Sequence, residues 1–320
     1  MDSDSQEHHI AFGPIPSRRL GQSLGINHIP AKTCSYGCRY CQVGPTTHRS
    51  VEPREFFPPE EILRAVSEHL RKVRESGGHV DYLSFVPDGE PTLDSRLGES
   101  IRALRPLGIP IAVITNATLL WREEVRARLA EADLVSVKVD TVDEGAWRRV
   151  DRPHGALSLP VILQGIRDFA RTFHGKLYSD TMLIAGANDD EGRVTATADF
   201  LAEIHPHTAY LAVPVRPTAA SAVRGADAAA LARARAIFLE RLPRAEVLAG
   251  HETQDFAHSG DARSDLLAIT AVHPMREVAV RRLLAEDHSD WGLVETLLAE
   301  GALEVLERDG LRFYRRRLPR

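Results

Sequence analysis

All cysteines of this 320-residue chain lie in one short segment, CSYGCRYC, as Cys34, Cys38 and Cys41. An odd number of cysteines placed this close together does not suit a disulfide framework, so the pattern indicates a metal site. A structural zinc ion would need a fourth ligand such as His28 or His48. An iron-sulfur cluster is the other candidate, and three thiolates would leave one corner of a four-iron cluster open for a substrate or cosubstrate.

The cysteine segment resembles the CxxxCxxC motif of radical S-adenosylmethionine (SAM) enzymes, with an aromatic residue, Tyr40, just before the third cysteine. The resemblance implies a single [4Fe-4S] cluster whose fourth iron binds SAM, and Tyr40 packed near the adenine. It also implies reductive cleavage of SAM to a 5'-deoxyadenosyl radical that abstracts hydrogen from a substrate. Such chemistry requires an electron donor such as a flavodoxin or a ferredoxin.

Four stretches of the sequence resemble one branch of these enzymes, which is largely uncharacterised and is sometimes grouped with wyosine-type Fe-S oxidoreductases that modify tRNA. The stretches are GPIPSRRLG, KTCSYGCRYC, GEPTL and ITNATLL. Wyosine synthases carry further cysteines for a second cluster, and this chain has none outside the motif. We therefore expect one cluster and no catalytic thiol.

Apolar, strand-like runs alternate with helical patterns along the first two thirds of the chain. Such alternation predicts a parallel sheet with crossover helices. The expected fold is α/β, an open partial (β/α)6 TIM-like barrel that covers residues 1–220. The predicted strands are 23–29, 81–86, 110–115, 134–140, 177–184 and 209–215, and the predicted helices are 59–73, 94–106, 120–131, 158–173 and 191–204.

In barrels of this kind the chemistry gathers at the carboxyl ends of the strands. After the second predicted strand, Asp88, Gly89 and Glu90 resemble the GGE motif that binds the amino group of SAM, with aspartate in place of the first glycine. A plain Asp-Gly turn is the alternative interpretation. After the third strand, Asn116 belongs to a TN pair that is similar to one found in relatives, and it could face the cofactor.

The fourth predicted strand places polar Ser136, Lys138 and Asp140 on one face and valines on the other. Polar residues that face into a barrel are costly unless they bind something. The three resemble positions that contact the ribose and carboxylate of SAM, while an internal ion pair between Lys138 and Asp140 is the alternative. After the fifth strand, Gly186 resembles a glycine that lets the backbone approach the adenine.

Three arginines are candidates for substrate binding. Arg18 and Arg19 precede the first predicted strand, and Arg216 follows the sixth. A guanidinium group can bind a phosphate or a carboxylate through two parallel hydrogen bonds. Solvated surface charge is the alternative role for each of them.

The composition is that of an ordinary globular protein, with 43% hydrophobic and 27% charged residues and a formal net charge of −5. No apolar run approaches the length of a membrane span, and the polar start MDSDSQEHH has no apolar signal core. We therefore expect a cytoplasmic protein that has no membrane partner.

The pattern changes after residue 220. Residues 221–261 are predicted to form a linker and a connecting helix, and residues 262–320 three helices and a basic hairpin that turns at Asp309-Gly310. This order resembles a winged-helix module of the α+β class. Phe313, Tyr314 and the arginines after them could contact a phosphate backbone, while simple packing against the barrel is the alternative.

The sequence thus predicts a radical SAM enzyme whose substrate is unidentified. The appended module favours a macromolecular substrate, RNA or protein. A small anionic metabolite bound by the arginines is an alternative, and an Fe-S redox sensor that binds DNA through the winged helix is another.

Overall fold

The computed structural model describes residues 9–250, 256 and 259–317. The strands in these residues are β1 (Ala11–Ser17), β2 (Gly21–Ile26), β3 (Thr33–Cys34), β4 (His48–Arg49), β5 (Tyr82–Phe85), β6 (Ile111–Thr115), β7 (Leu134–Lys138), β8 (Lys176–Met182), β9 (Thr208–Ala212), β10 (Ala245–Leu248), β11 (Met275–Arg276), β12 (Leu303–Arg308) and β13 (Leu311–Arg316). The α-helices are α1 (Pro59–Glu75), α2 (Leu97–Leu104), α3 (Glu123–Leu129), α4 (Glu144–Val150), α5 (Leu159–Thr172), α6 (Glu191–Ile204), α7 (Ala228–Arg241), α8 (Ala262–Val272), α9 (Glu277–Glu286) and α10 (Gly292–Ala299).

Eight strands form one curled sheet in the order β1-β2-β5-β6-β7-β8-β9-β10. All neighbours are parallel except β1 and β2, which pair antiparallel. Helices connect the successive parallel strands, as the alternating pattern predicts. The predicted α/β partial barrel is therefore confirmed, and the sheet continues past residue 220 because β10 pairs with β9.

Helix α1 illustrates how the sequence pattern produces these units. Pro59 occupies the first turn, where its missing N–H has no intrahelical partner to lose. Four apolar residues at helical spacing are buried against the sheet: Ile62, Val66, Leu70 and Val73. The helix thus turns one apolar face to the sheet and its charged residues to solvent.

Strand β1 was not expected from the sequence, because GPIPS has neither the alternation nor the composition of a strand. It pairs with β2, and the turn between them reaches the far edge of the sheet. There the Nη1 group of Arg18 donates a hydrogen bond to the carbonyl oxygen of Ala249, just after β10, at 2.9 Å. The first and last strands of the curled sheet are therefore linked across its open side.

The C-terminal module contains α8 to α10 and a three-stranded sheet in the order β11-β13-β12. This arrangement agrees with the predicted winged-helix-like fold. Phe313 and Tyr314 are buried, 1% and 2% exposed, and Tyr314 belongs to the module's own core. The expectation that these two residues contact a phosphate backbone is wrong, because both side chains are buried, Tyr314 in the module's core and Phe313 on the opposite face of β13.

Across the described residues, no helix combines the length and the apolar character needed to cross a membrane.

Candidate functional site

The cysteine loop leaves β2 and is held by two short strands. In the parallel pair of β3 and β4, Cys34 lies opposite Arg49. The loop then turns: Gly37 donates its N–H to the carbonyl of Asp151 at 3.0 Å, and Cys41 donates its own to the carbonyl of Cys38 at 3.1 Å. These hydrogen bonds and the β3–β4 pair hold the backbone of the loop.

Cys34 lies beside the ends of β5 and β6. The side-chain amide of Asn116 donates to Ser35 Oγ at 2.9 Å and points to Cys34 Sγ at 3.6 Å. Burial, together with the nearby carboxylate of Glu90, raises the pKa of the Cys34 thiol to about 12. In the metal-free protein this thiol is therefore protonated, and metal binding has to release its proton.

Glu90 joins the turn after β5 to the turn after β6. Its Oε1 accepts hydrogen bonds from the backbone N–H of Thr92 and from the hydroxyls of Thr92 and Thr115, and its Oε2 accepts the backbone N–H of Asn116 at 2.8 Å. Its carboxylate is thus occupied by donors of its own chain. Glu90 positions Asn116 beside Cys34, and its predicted contact with SAM remains a prediction.

Gly89 allows the turn after β5 to approach the cysteine loop. A Cβ atom at this position would lie 2.2 Å from the carbonyl oxygen of Thr33, which is closer than two non-bonded atoms can approach. The same carbonyl accepts the backbone N–H of Glu90 at 3.0 Å. Gly89 therefore has a structural role at the place where the GGE resemblance falls.

A buried polar cluster lies behind the second cysteine. Cys38 Sγ donates to Asp151 Oδ1 at 3.4 Å, and the hydroxyl of Tyr40 contacts both Asp151, at 3.2 Å, and Asp140. Burial and the neighbouring Asp140 raise the pKa of Asp151 well above its ordinary value. Asp151 was not identified from the sequence, since it follows helix α4, which no sequence pattern indicated.

Lys138 connects the buried polar residues Tyr40, Asp140 and Asp151 to the cavity described below. Its Nζ lies 3.6 Å from Asp140 Oδ1 and 5.1 Å from the ring centroid of Tyr40. The alternative interpretation of an internal ion pair between Lys138 and Asp140 therefore describes the geometry, while Lys138 still faces the cavity.

Lys32 and Asp88 form a second buried polar group, on the side of the loop that faces the C-terminal module. Within the described residues, Lys32 Nζ and Asp88 Oδ1 have no hydrogen-bond partner. Burial lowers the pKa of Lys32, although Cys41 and Asp88 oppose that effect. Burial also raises the pKa of Asp88 to about 6. An unpartnered cation beside Cys41 suits a negatively charged group at the cysteines.

A cavity of about 330 Å³ opens inside the curled sheet. The cysteine loop contributes Tyr40 and Cys41 to its wall, and β7 contributes Lys138. All three arginines predicted to bind substrate also line it: Arg18, Arg19 and Arg216. The structure therefore brings together one cysteine of the motif, one predicted SAM contact from β7 and the candidate substrate residues.

Asp180, on β8, is a cavity residue that the sequence did not indicate. Its carboxylate forms an ion pair with Arg19 and accepts the hydroxyl of Ser136 at 3.4 Å. Asp180 is 4% exposed. Alternation along β8 could have drawn attention to it, because Asp180 is the one carboxylate in LYSDTMLI.

Gly186 lies apart from these residues. It occupies an exposed turn with a φ of +67°, and its N–H binds the carboxylate of Asp189 at 2.8 Å. Gly186 is not among the residues that line the cavity. Its predicted approach to the adenine remains a prediction.

The candidate zinc ligands lie in different surroundings. His28 is fully buried, and its Nε2 is 3.9 Å from Asp94, whereas His48 is exposed on β4. In the described residues, no group of three or more His, Cys, Asp or Glu side chains is arranged to hold one metal ion, and this includes the three cysteines. The finding concerns a single ion, whereas a [4Fe-4S] cluster binds each thiolate at a different iron.

Comparison with known proteins identifies the class. Residues 28–198 match the family model described as the radical SAM superfamily, and the chain belongs to that superfamily, as predicted. More narrowly, it is one of the UPF0026 proteins: it is 44% identical over 307 residues to the UPF0026 protein of Methanocaldococcus jannaschii, covering 95% of each chain.

Two further similarities are more distant. A probable GTP 3',8-cyclase of Pyrococcus horikoshii is 27% identical over 166 residues, which is 50% of this chain and 47% of that protein. The crystal structure of a radical SAM methyltransferase from Sphaerobacter thermophilus superposes with a TM-score of 0.56 at 18% identity, covering 70% of this chain and 65% of that one. At this identity the likeness supports the fold alone.

Membership of the superfamily implies a [4Fe-4S] cluster and SAM. The side chains at the loop fit such a group, because they supply three thiols, the Asn116 amide that points at one of them, and the unpartnered Lys32 ammonium near another. We therefore treat this loop as the candidate cluster site.

Proposed function

We propose that the protein is a radical SAM enzyme in which Cys34, Cys38 and Cys41 hold a single [4Fe-4S] cluster. The observation that carries the proposal is the position of Cys41 in the wall of the cavity that Lys138 also lines, on the same loop as the other two thiols. When bound, the cluster supplies the electron that cleaves SAM reductively and so allows hydrogen abstraction from a substrate.

The residues of the chain would hold the reactants in place. Lys138 offers a cation to the carboxylate of SAM, and Tyr40, held by Asp140 and Asp151, offers an aromatic face at the cavity wall. Asn116 would contact the first cysteine through its amide. The C-terminal module covers this side of the cavity, since Gln42 donates to the carbonyl of Val272 at 3.0 Å, and exclusion of water protects a reactive intermediate.

We propose a small anionic molecule as the substrate. Three arginines line a cavity of about 330 Å³, and guanidinium groups bind carboxylates and phosphates well. RNA or protein, the substrate favoured by the sequence pattern, has less support, because Phe313 and Tyr314 of the hairpin are buried.

The proposal is tested by anaerobic reconstitution with iron and sulfide, followed by reduction with dithionite in the presence of SAM. We expect 5'-deoxyadenosine to form, to require the cluster and to be lost in Cys38→Ala. Thr47→Ala, an exposed change on the same loop, serves as the matched control and should retain the product. A reduced, four-iron protein that forms no 5'-deoxyadenosine would instead favour the redox sensor or an enzyme that cleaves SAM only when its substrate is bound.

The substrate class is tested in the same assay. Phosphorylated and carboxylated small molecules should increase 5'-deoxyadenosine formation, and deuterium from a labelled substrate should appear in the product. Stimulation by RNA or by a protein fraction alone would overturn the small-molecule assignment without affecting the assignment as an enzyme.

A further inference from the structure

Three arginines lie on the cysteine loop or against it. Arg49 lies on β4 directly opposite Cys34, Arg152 follows α4, and Arg39 lies between the second and third cysteines. We call Arg39, Arg49 and Arg152 the loop-face arginines.

The loop-face arginines lie directly on the cysteine loop. A Cβ atom on Gly37, the residue directly before Cys38, would be 3.9 Å from Arg49 Cδ and 3.7 Å from Arg152 Cβ. The carbonyl of Arg152 accepts the N–H of Gly37 at 3.1 Å, and Arg49 Nη1 points to the same carbonyl at 3.4 Å. The side chains of Arg49 and Arg152 therefore lie against the backbone of the cysteine loop.

The charges of the loop-face arginines are not neutralised within the part of the chain that the structure describes. None of them takes part in an ion pair there, although arginines elsewhere commonly do, such as Arg148 with Glu144 at 2.7 Å. Arg49 and Arg152 are exposed and Arg39 is half-buried. The overall formal charge is −5, so this positive surface contrasts with the charge of the whole protein.

These arginines do not belong to the cavity. None of the three lines it, whereas Arg18, Arg19 and Arg216 do. A positive surface within the cavity would suit a substrate, but these three arginines lie outside its lining. A partner that contacts them would therefore meet the cysteine loop without entering the cavity.

We propose that the loop-face arginines form the docking surface for the acidic electron-carrier protein that reduces the cluster. The inference rests on the proposed function, because it requires a cluster at the three cysteines. One electron passes from the carrier, which is oxidised by one electron, to the cluster, which is reduced by one, and no bond is formed or broken. A positive surface steers an acidic partner to the place where the electron path is short.

The test measures the rate of cluster reduction by a reduced flavodoxin in stopped-flow absorbance experiments, using the reconstituted full chain. In the double variant Arg49→Glu/Arg152→Glu, we expect the second-order rate constant at low salt to fall about tenfold or more. The difference should shrink to about twofold at high salt, because ions screen exposed charges. Reduction by dithionite should reach the same extent as in the unaltered protein.

The matched control is Arg233→Glu/Arg235→Glu, which makes the same charge change at exposed positions of α7. If it slows reduction equally, net charge alone matters and the docking surface is overturned. An unchanged rate with Arg49→Glu/Arg152→Glu also overturns it. If the unaltered protein binds tRNA and this variant loses that binding while its reduction stays normal, the surface is assigned to RNA and the docking proposal is overturned.

Iron content, the cluster absorbance and 5'-deoxyadenosine formed with dithionite separate the two proposals. If the unaltered protein holds four irons and forms product, but reduction by flavodoxin does not depend on these arginines, only the docking surface fails. If no cluster assembles, both proposals fail together.

Discussion

Glu90 shows how a single buried carboxylate can organise the cluster site without touching the cluster. It accepts hydrogen bonds from donors on two successive strand ends, including the backbone N–H of Asn116. Burial raises the pKa of Glu90, and the hydrogen bonds from Thr115 and Thr92 oppose that effect. Because each oxygen has donors facing it, the site requires acceptors at both.

We expect Glu90→Gln to destabilise the protein by about 2–3 kcal/mol, since the new amide NH₂ would face a donor and leave it unpaired. Urea unfolding of the metal-free protein measures the loss, and iron content after reconstitution should fall with it. Glu123→Gln, at an exposed position of α3, is the control. An unchanged free energy of unfolding for Glu90→Gln would show that the hydrogen bonds to the Glu90 carboxylate are dispensable.

The pair of Arg19 and Asp180 has a different character, because it crosses the cavity between the β1–β2 turn and β8. Removal of one partner leaves the other charge without compensation in a partly buried place. In a double-mutant cycle with alanine at both positions, we expect a coupling energy of about 1–3 kcal/mol in urea unfolding. The exposed pair Arg71–Glu75 should couple by less than about 1 kcal/mol, and equal coupling in both pairs would contradict the prediction.

At the scale of elements, Gly89 sets the distance between the β5 turn and the cysteine loop. We expect Gly89→Ala to destabilise the protein by about 1–3 kcal/mol, because the methyl group would overlap the Thr33 carbonyl and force the two segments apart. The iron content should fall in parallel. Gly155→Ala is the control, as nothing lies within 4 Å of a Cβ at that position. Normal stability and iron content in Gly89→Ala would contradict this account.

The sequence predicted the helices and strands better than it predicted individual site residues. The (β/α) units follow from periodicity alone, and α6 begins and ends at the predicted residues 191 and 204. Helix α4 and strand β1 were missed, because their stability comes from tertiary contacts: α4 buries Trp147, and β1 is held by β2 and α8. Asp151 and Asp180 were missed for the same reason, since their partners are distant in sequence.

At the scale of the whole molecule, buried carboxyl groups make stability depend on pH. Burial raises the pKa of Asp94 to about 7, so the folded protein holds a proton here that the unfolded chain releases near its ordinary pKa of about 4. The folded state binds more protons between these values, and therefore the free energy of unfolding falls as pH rises through them.

The side chain in Asp94→Asn does not ionise, so this loss of stability with rising pH is removed. The oxygen that accepts the N–H of Arg96 is retained. We expect the unaltered, metal-free protein to lose on the order of 2–4 kcal/mol more stability than Asp94→Asn between about pH 5 and about pH 8. Urea unfolding at a series of pH values measures the difference. Glu295→Gln, an exposed control, should follow the unaltered protein, and parallel curves for Asp94→Asn would contradict the prediction.

The link between Arg18 and the carbonyl of Ala249 joins residues 231 positions apart, and this separation has a consequence for biosynthesis. At roughly 5–20 residues per second, a ribosome needs roughly 10–50 s to make the chain between them. During that interval the three cysteines are made, while β10, the last strand of the sheet, is still to come. The hydrogen bond that links the two edges of the sheet can therefore form only after the whole cysteine loop has been made.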